Sequence, residues 1–113
     1  MFRFAATGET LITLRASVHK EEKYTRMIQM IRDADAAFTN LEVMLHNYEG
    51  WPAPDGGGGG RGFYCVAEPY FAEELKWMGF DMVSIANNHT VDFGYPGIFA
   101  TMKALDEAGL VYS

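Results

Sequence analysis

Ser84-Ile85-Ala86-Asn87-Asn88-His89-Thr90-Val91-Asp92-Phe93-Gly94 is the stretch on which the reading of this chain turns. A short apolar run, Met82 to Ala86, leads into two asparagines, a histidine and an aspartate, and Gly94 ends the turn. Asparagine, histidine and aspartate coordinate metals or hydrogen-bond anions, and none is comfortable inside a buried strand. Placed just past a strand end, they face a ligand.

Outwards from there, Phe80 to Ala86 reads as a strand and Tyr95 or Pro96 opens a helix. That helix carries Ile98, Phe99, Met102 and Leu105 on one face and closes at Ala108-Gly109. Upstream, Pro69 starts a helix with Ala72, Leu75, Lys76 and Met78 along it and Gly79 at its end. Ala36 to Thr39 is a second short strand with Asn40-Leu41-Glu42 at its tip. Glu21 to Asp33 has Tyr24, Met27, Ile28 and Ile31 at helical spacing, with Glu21 and Glu22 at the favourable end. Phe2 to Thr7 reads as the first strand, broken by Gly8-Glu9-Thr10, and Leu11 to Val18 as irregular.

Residues 44–66 predict no regular structure. At their centre is a Gly/Pro-rich loop, 47–62, with Trp51-Pro52-Ala53-Pro54-Asp55 followed by five glycines. Such a loop is a linker by composition, whereas Trp51 and Tyr64 suit a substrate lid. Gly109 to Ser113 reads as a helix stop followed by a strand cut as it begins, so 1–113 is expected to be a single partial domain.

Strands alternating with helices of this length predict an α/β fold with parallel pairing and right-handed crossovers. Ligands of such sheets bind off the carboxyl ends of the strands. Gly8-Glu9, Asn40-Leu41-Glu42 and Asn87-Asn88-His89 each follow a predicted strand, so all three are expected to line one edge.

The formal net charge of −6 and the lack of a Lys/Arg cluster argue against nucleic acid as a partner. An anionic substrate can still bind through metal cations. Cys65, the single cysteine, is expected to pack as a small hydrophobe. No apolar run approaches the ~20 residues of a membrane span and no signal-peptide pattern opens the chain, which makes the cytoplasm the default location. His19 and His46 lie in polar, loop-like contexts and receive no role.

Two carboxylates, two or three carboxamides and an imidazole form a ligand set suited to Mn, Fe, Zn or Mg. Two such ions would stabilise both the attacking and leaving oxygens of a phosphoryl transfer. The competing reading is structural: Asn and Asp after strands are ordinary turn formers.

Asn40-Leu41-Glu42, the run Gly79 to Gly94 with its Ala-Asn-Asn-His-x-x-Asp-x-Gly core, and then Gly97, Thr101, Leu105 and Ala108-Gly109 together resemble the CapA-type capsule and poly-γ-glutamate biosynthesis family. That family is a branch of the calcineurin-like metallophosphoesterases. The resemblance implies a metallophosphatase-like layered α/β/β/α sandwich with two divalent metal ions at the strand ends. It implies metal ligation by Glu9, by Asn40 or Glu42, and by Asn88. It gives His89 the contact to the substrate's phosphoryl oxygens, and Asp92 the orientation of His89 or of a water. The implied function is metal-dependent phosphoester hydrolysis of a small-molecule or polymeric anionic substrate, linked to capsule or poly-γ-glutamate synthesis. Two departures bear on it. Glu9 stands where the family has an aspartate, and the histidines of the superfamily's later half are absent, so the chain alone is expected to be inactive. A non-catalytic component of a polymer synthesis or export assembly is the second reading.

Overall fold

The computed structural model describes residues 1–58 and 62–113. The first strand, β1 (Phe4–Thr10), is followed by α1 (Glu22–Arg32), β2 (Ala36–Leu41), β3 (Met44–Leu45), β4 (Val66–Ala67), α2 (Phe71–Met78), β5 (Met82–Ser84), α3 (Gly94–Ala108) and β6 (Val111–Tyr112). Four of these strands form an all-parallel sheet in the order β1-β2-β5-β6. Each step runs in the same direction across the sheet, so right-handed crossovers bring the helices to one face. Accordingly α1 touches α2, and α2 touches α3.

Strand alternation divides the sheet. Ala37, Thr39, Leu41 and Val83 are buried on the helix side, under Ile28 and Ile31 of α1, Phe71 and Leu75 of α2, and Ala104 and Leu105 of α3. On the opposite face, pairing aligns Ala6, Phe38, Met82 and Val111 in one row across the four strands. No described element covers this row, and Val111 is 65% exposed. The next row towards the carboxyl ends is Glu9, Asn40 and Ser84.

The helices end as their glycines dictate. Gly79 and Gly109 close α2 and α3 at φ 103° and 70°, in the left-handed region that a side chain disfavours. Gly79 also lets α2 approach α1: a Cβ there would stand 2.8 Å from Arg32 Cγ, and the Arg32 guanidinium lies over the Trp77 ring at 4.3 Å.

Two expectations are corrected. Gly8-Glu9-Thr10 does not end the first strand. β1 continues to Thr10, with one extra residue between the Ala6–Phe38 and Glu9–Asn40 pairs. Glycine tolerates such a bulge, and the Thr39 hydroxyl ties it down, donating to Gly8 O at 2.9 Å and meeting the Thr7 hydroxyl at 2.7 Å. Nor is 44–66 without regular structure. β3 and β4 pair in parallel, and Met44 N and His46 N donate to Cys65 O and Ala67 O at 2.9 Å each. Burial decides this: Met44 and Leu45 are enclosed, and Leu45 N donates to Thr101 Oγ1 of α3 at 2.9 Å. Gly56–Gly58 forms a 3-10 turn. The remainder of the five-glycine run, Gly59 and Gly60, and Arg61 of the 47–62 loop lie outside the described residues. Among the described residues no helix is long and apolar enough to cross a membrane.

Candidate functional site

The chain leaves β5 at Ser84 and turns sharply through Asn87 to Gly94 before entering α3. Asn87 is the fastening of that turn. Its Nδ2 donates to Leu41 O at 2.8 Å and to Asn40 Oδ1 at 3.3 Å, and its Oδ1 accepts from His89 N at 3.0 Å. Thr90 closes the other side, accepting from Asn87 N at 3.0 Å and donating to Ile85 O. The turn is thereby sewn to the carboxyl end of β2, which carries Asn40 to Glu42 into the same place.

The side chain so positioned is His89, only 4% exposed. Its Nδ1 lies 2.7 Å from Asp92 Oδ2. Its Nε2 lies 3.9 Å from Glu42 Oε1 and 3.7 Å from Cys65 Sγ. Asp92, 1% exposed, is further held by two backbone amides: Gly57 N of the glycine-rich loop donates to Oδ1 at 2.7 Å, and Cys65 N, just before β4, to Oδ2 at 3.3 Å. A buried carboxylate is tolerable when several donors satisfy it, and here three groups converge on it.

Glu42 is the contrasting case. It is buried, and among the described residues its Oε2 has no hydrogen-bond partner. Burial pushes its carboxyl above the usual carboxylate range, with a hydrogen bond and charge from Glu9 adding to the rise and His89 opposing it. Two carboxylates therefore meet at the sheet edge, one enclosed and one, Glu9, exposed on β1. Asn40 is half-buried and its Oδ1 already accepts from Asn87. Asn88 is exposed, and its Nδ2 donates to Gly57 O at 3.1 Å, which leaves its Oδ1 outside that bond.

Glu9, Asn40, Glu42, Asn88, His89 and Asp92 thus all lie at one end of the sheet, although Glu9 sits within a strand rather than beyond it. Among the described residues no three or more of His, Cys, Asp and Glu are grouped so as to hold a metal ion. The donor set fits one side of a cation site rather than a whole one. A positive ion beside Glu42 would satisfy its orphan oxygen and relieve the pressure from Glu9.

Three participants carried no assigned role in the site from sequence. Asn87 was one of a pair, and nothing in the local pattern separates the fastening asparagine from the outward one. Cys65 is buried as expected, yet its thiol faces His89 Nε2, a juxtaposition made by a sequence separation of 24 residues. Burial, followed by the charges of Glu42 and Asp92, pushes the Cys65 thiol up, so it stays protonated and is a poor nucleophile. Gly57 was read only as part of a pliable run. His46, expected in a polar loop, is instead enclosed: it packs on Phe93 with ring centroids 4.5 Å apart, and burial lowers its pKa with Glu49 opposing.

Comparison with known proteins adds a lineage to this geometry. The family model for the bacterial capsule synthesis protein PGA_cap matches residues 4–113. The chain is 29% identical to the uncharacterized proteins y4sH and y4uA of Sinorhizobium fredii over 99% of its length, covering 24% of each. It is also 29% identical to the capsule biosynthesis protein CapA of Bacillus anthracis over 73% of its length, covering 19% of that protein. It therefore spans about a quarter or less of the length of the curated relatives it matches.

Proposed function

From the premise that this chain belongs to the bacterial capsule synthesis protein family PGA_cap, we propose that it forms one wall of a metal-dependent phosphoester hydrolase. The substrate is a small-molecule or polymeric anion of capsule or poly-γ-glutamate synthesis. The observation that supports this reading best is the pairing of a buried Glu42 oxygen, unpartnered among the described residues, with an imidazole 3.9 Å from the same carboxylate and backed by Asp92. A carboxylate behind the far nitrogen of a histidine is the arrangement that fixes a ring for ligation or proton transfer.

In this reading Glu42, Glu9 and the Asn88 carbonyl oxygen hold divalent ions, two in the complete site, with Mn, Fe, Zn and Mg as the fitting class. Asn40 is assigned to support, because its oxygen is engaged by Asn87. Such ions, once bound, supply Lewis acidity towards a phosphoryl oxygen and lower the pKa of a water. His89 takes up a proton at Nε2 and shares it with the oxygen on which charge develops, and Asp92 stabilises the imidazolium so formed. Burial of His89 and Asp92 strengthens that contact by excluding water. The donors on this chain make up part of a metal shell, so the remaining ligands are assigned to sequence equivalent to the rest of the relatives, and the 113 residues by themselves are expected to hydrolyse nothing.

The test is metal analysis with a phosphodiesterase assay on the protein at the length of its relatives, comparing Asn88→Ala and His89→Ala with the parent. Loss of a hundredfold or more in kcat/KM for His89→Ala, and reduced metal content for Asn88→Ala, are expected. Unchanged activity in both variants would sink the assignment. The second reading, a non-catalytic part of a polymer synthesis or export assembly, draws on Glu9 where the family has aspartate. Absence of bound metal, with polymer production intact in both variants, would favour it.

A further inference from the structure

The loop that follows β3 folds back on Phe93 and encloses an aromatic recess that the proposed chemistry does not use. Gly50, at φ 85°, lies so close to the Phe93 carbonyl that a Cβ would collide with it. Ala53 N donates to Asp92 O at 2.7 Å, and the Tyr64 hydroxyl donates to Ala53 O. Beside these fastenings lies a recess of about 770 Å³, lined by Tyr48, Trp51, Pro52, Tyr64, Val66 and Phe93 together with Gly50. Phe93, 5% exposed, forms its floor. The rings of Tyr48 and Tyr64 stand steeply to it, at interplanar angles of 74° and 64° and centroid distances of 5.8 and 5.7 Å. Trp51 and Tyr48 are left 87% and 71% exposed. Tyr48 also sits at φ 59°, the one non-glycine residue in the left-handed region among those described. A bulky side chain in that conformation is strained. Folding gains little from a tryptophan and a strained tyrosine held in water, whereas a ligand between them would bury both.

We propose that this recess binds a small organic cation, an alkylated ammonium group seated among Tyr48, Trp51, Tyr64 and Phe93 with Glu49 as its counter-charge. Charge selects that occupant. Glu49 follows Tyr48 in the chain, and its Oε2 is fixed by the Asn47 amide at 2.5 Å. Glu68 lines an adjoining recess of about 330 Å³ that shares Tyr48 and Val66 with the first. Among the described residues no lysine or arginine lines either recess. Behind Phe93, burial lowers the His46 pKa with Glu49 opposing, so that enclosed ring adds no positive charge. Aromatic faces are the negative side of the ring quadrupole, and walls set steeply on a floor surround a cation with such faces. A phosphate or carboxylate would meet like charge here. An uncharged group would gain the apolar contact and nothing from Glu49. The site is therefore distinct from that of the proposed anionic substrate, and it stands whether or not hydrolysis is found.

The experiment is an NMR titration of the 113-residue chain with choline, with its uncharged isostere in which carbon replaces the quaternary nitrogen, and with inorganic phosphate. Choline is expected to bind saturably in the millimolar range, shifting the Trp51 indole and the Tyr64 and Phe93 rings. Trp77 is the internal control, since its ring is already covered by Arg32 at 4.3 Å, and it should not move. The isostere should bind about tenfold more weakly or worse, and phosphate should leave the recess unshifted. Trp51→Ala and Tyr48→Gly should each weaken choline by about tenfold. Glycine keeps the dihedral at position 48, so that loss reports the ring rather than the backbone. Glu49→Gln should weaken choline and leave the isostere unchanged. No saturable choline binding, equal binding of the isostere, shifts centred away from Trp51, or parent affinity in both Trp51→Ala and Tyr48→Gly would overturn the proposal. The comparison of choline with its isostere uses the parent alone, so a variant that fails to fold does not protect the inference.

Discussion

At the scale of single residues, the site sets two buried carboxyl groups in opposite circumstances. Asp92 receives two backbone donors and faces the His89 ring, whereas Glu42 has one oxygen with no partner among the described residues. Neutralising Glu42 therefore has a signed consequence. Its folded-state pKa is raised, so its favourable contribution is present at acid pH and lost as pH rises through the raised value. At neutral pH the ionised group opposes folding. Glu42→Gln is expected to melt a few degrees above the parent at pH 7, where about 1 kcal/mol corresponds to roughly 4 °C. The gap should narrow as pH falls towards the ordinary carboxylate value of 4.5. Added Mn²⁺ or Zn²⁺ should raise the melting temperature of the parent and leave the variant where it is, provided the remaining ligands are present. Thermal melts across pH 4–8 check the first part on this chain alone. A variant that melts lower at pH 7 would show that Glu42 is satisfied after all.

At the scale of elements, legibility followed the range of the interaction. The three helices were readable because their signals are local: spaced apolar positions, an acidic first turn in α1, and glycines at Gly79 and Gly109 where the backbone turns left-handed. The polar turn at Asn87 to Asp92 was readable for the same reason. β3 and β4 were not, since two-residue strands carry no period, and their pairing depends on contacts made elsewhere along the chain. Thr101 illustrates this. Fully enclosed on α3, its hydroxyl donates to Gly97 O at 2.9 Å and accepts from Leu45 N at the same distance. It appeared in the sequence only as part of a family pattern, yet it is the peg on which β3 hangs. The misread break at Gly8 has the same origin, because the Thr39 hydroxyl that holds the bulge is 31 residues away. Thr101→Val, equal in shape and lacking the hydroxyl, should leave the buried Leu45 amide unpaired and cost about 1–3 kcal/mol. Urea denaturation measures that cost. A loss below a few tenths of a kcal/mol would mean that β3 is held by packing alone.

At the scale of the whole molecule, the helices cover one face of the sheet and leave the other bare. Parallel sheets are normally covered on both faces, and the row Ala6, Phe38, Met82 and Val111 has the composition of a buried surface, with Phe4 beside it at 56% exposure. Glu9 and Asn40 open onto the same side, one register step further along. A layer laid against this face would cover the apolar row and bring its own strand ends beside the carboxylates, which is the geometry that the proposed partial domain requires. The 113 residues alone should accordingly bind an apolar dye and associate with one another as concentration rises. Phe38→Thr with Met82→Thr should suppress both effects with little loss of melting temperature, because neither side chain is packed under the helices. Val83→Thr, one residue along but 1% exposed on the helix side, should lower the melting temperature and leave association unchanged. Sedimentation and dye fluorescence on these variants separate the two faces. A chain that stays monomeric and dye-free at high concentration would show that the bare face needs no cover, and would remove the argument for a second layer.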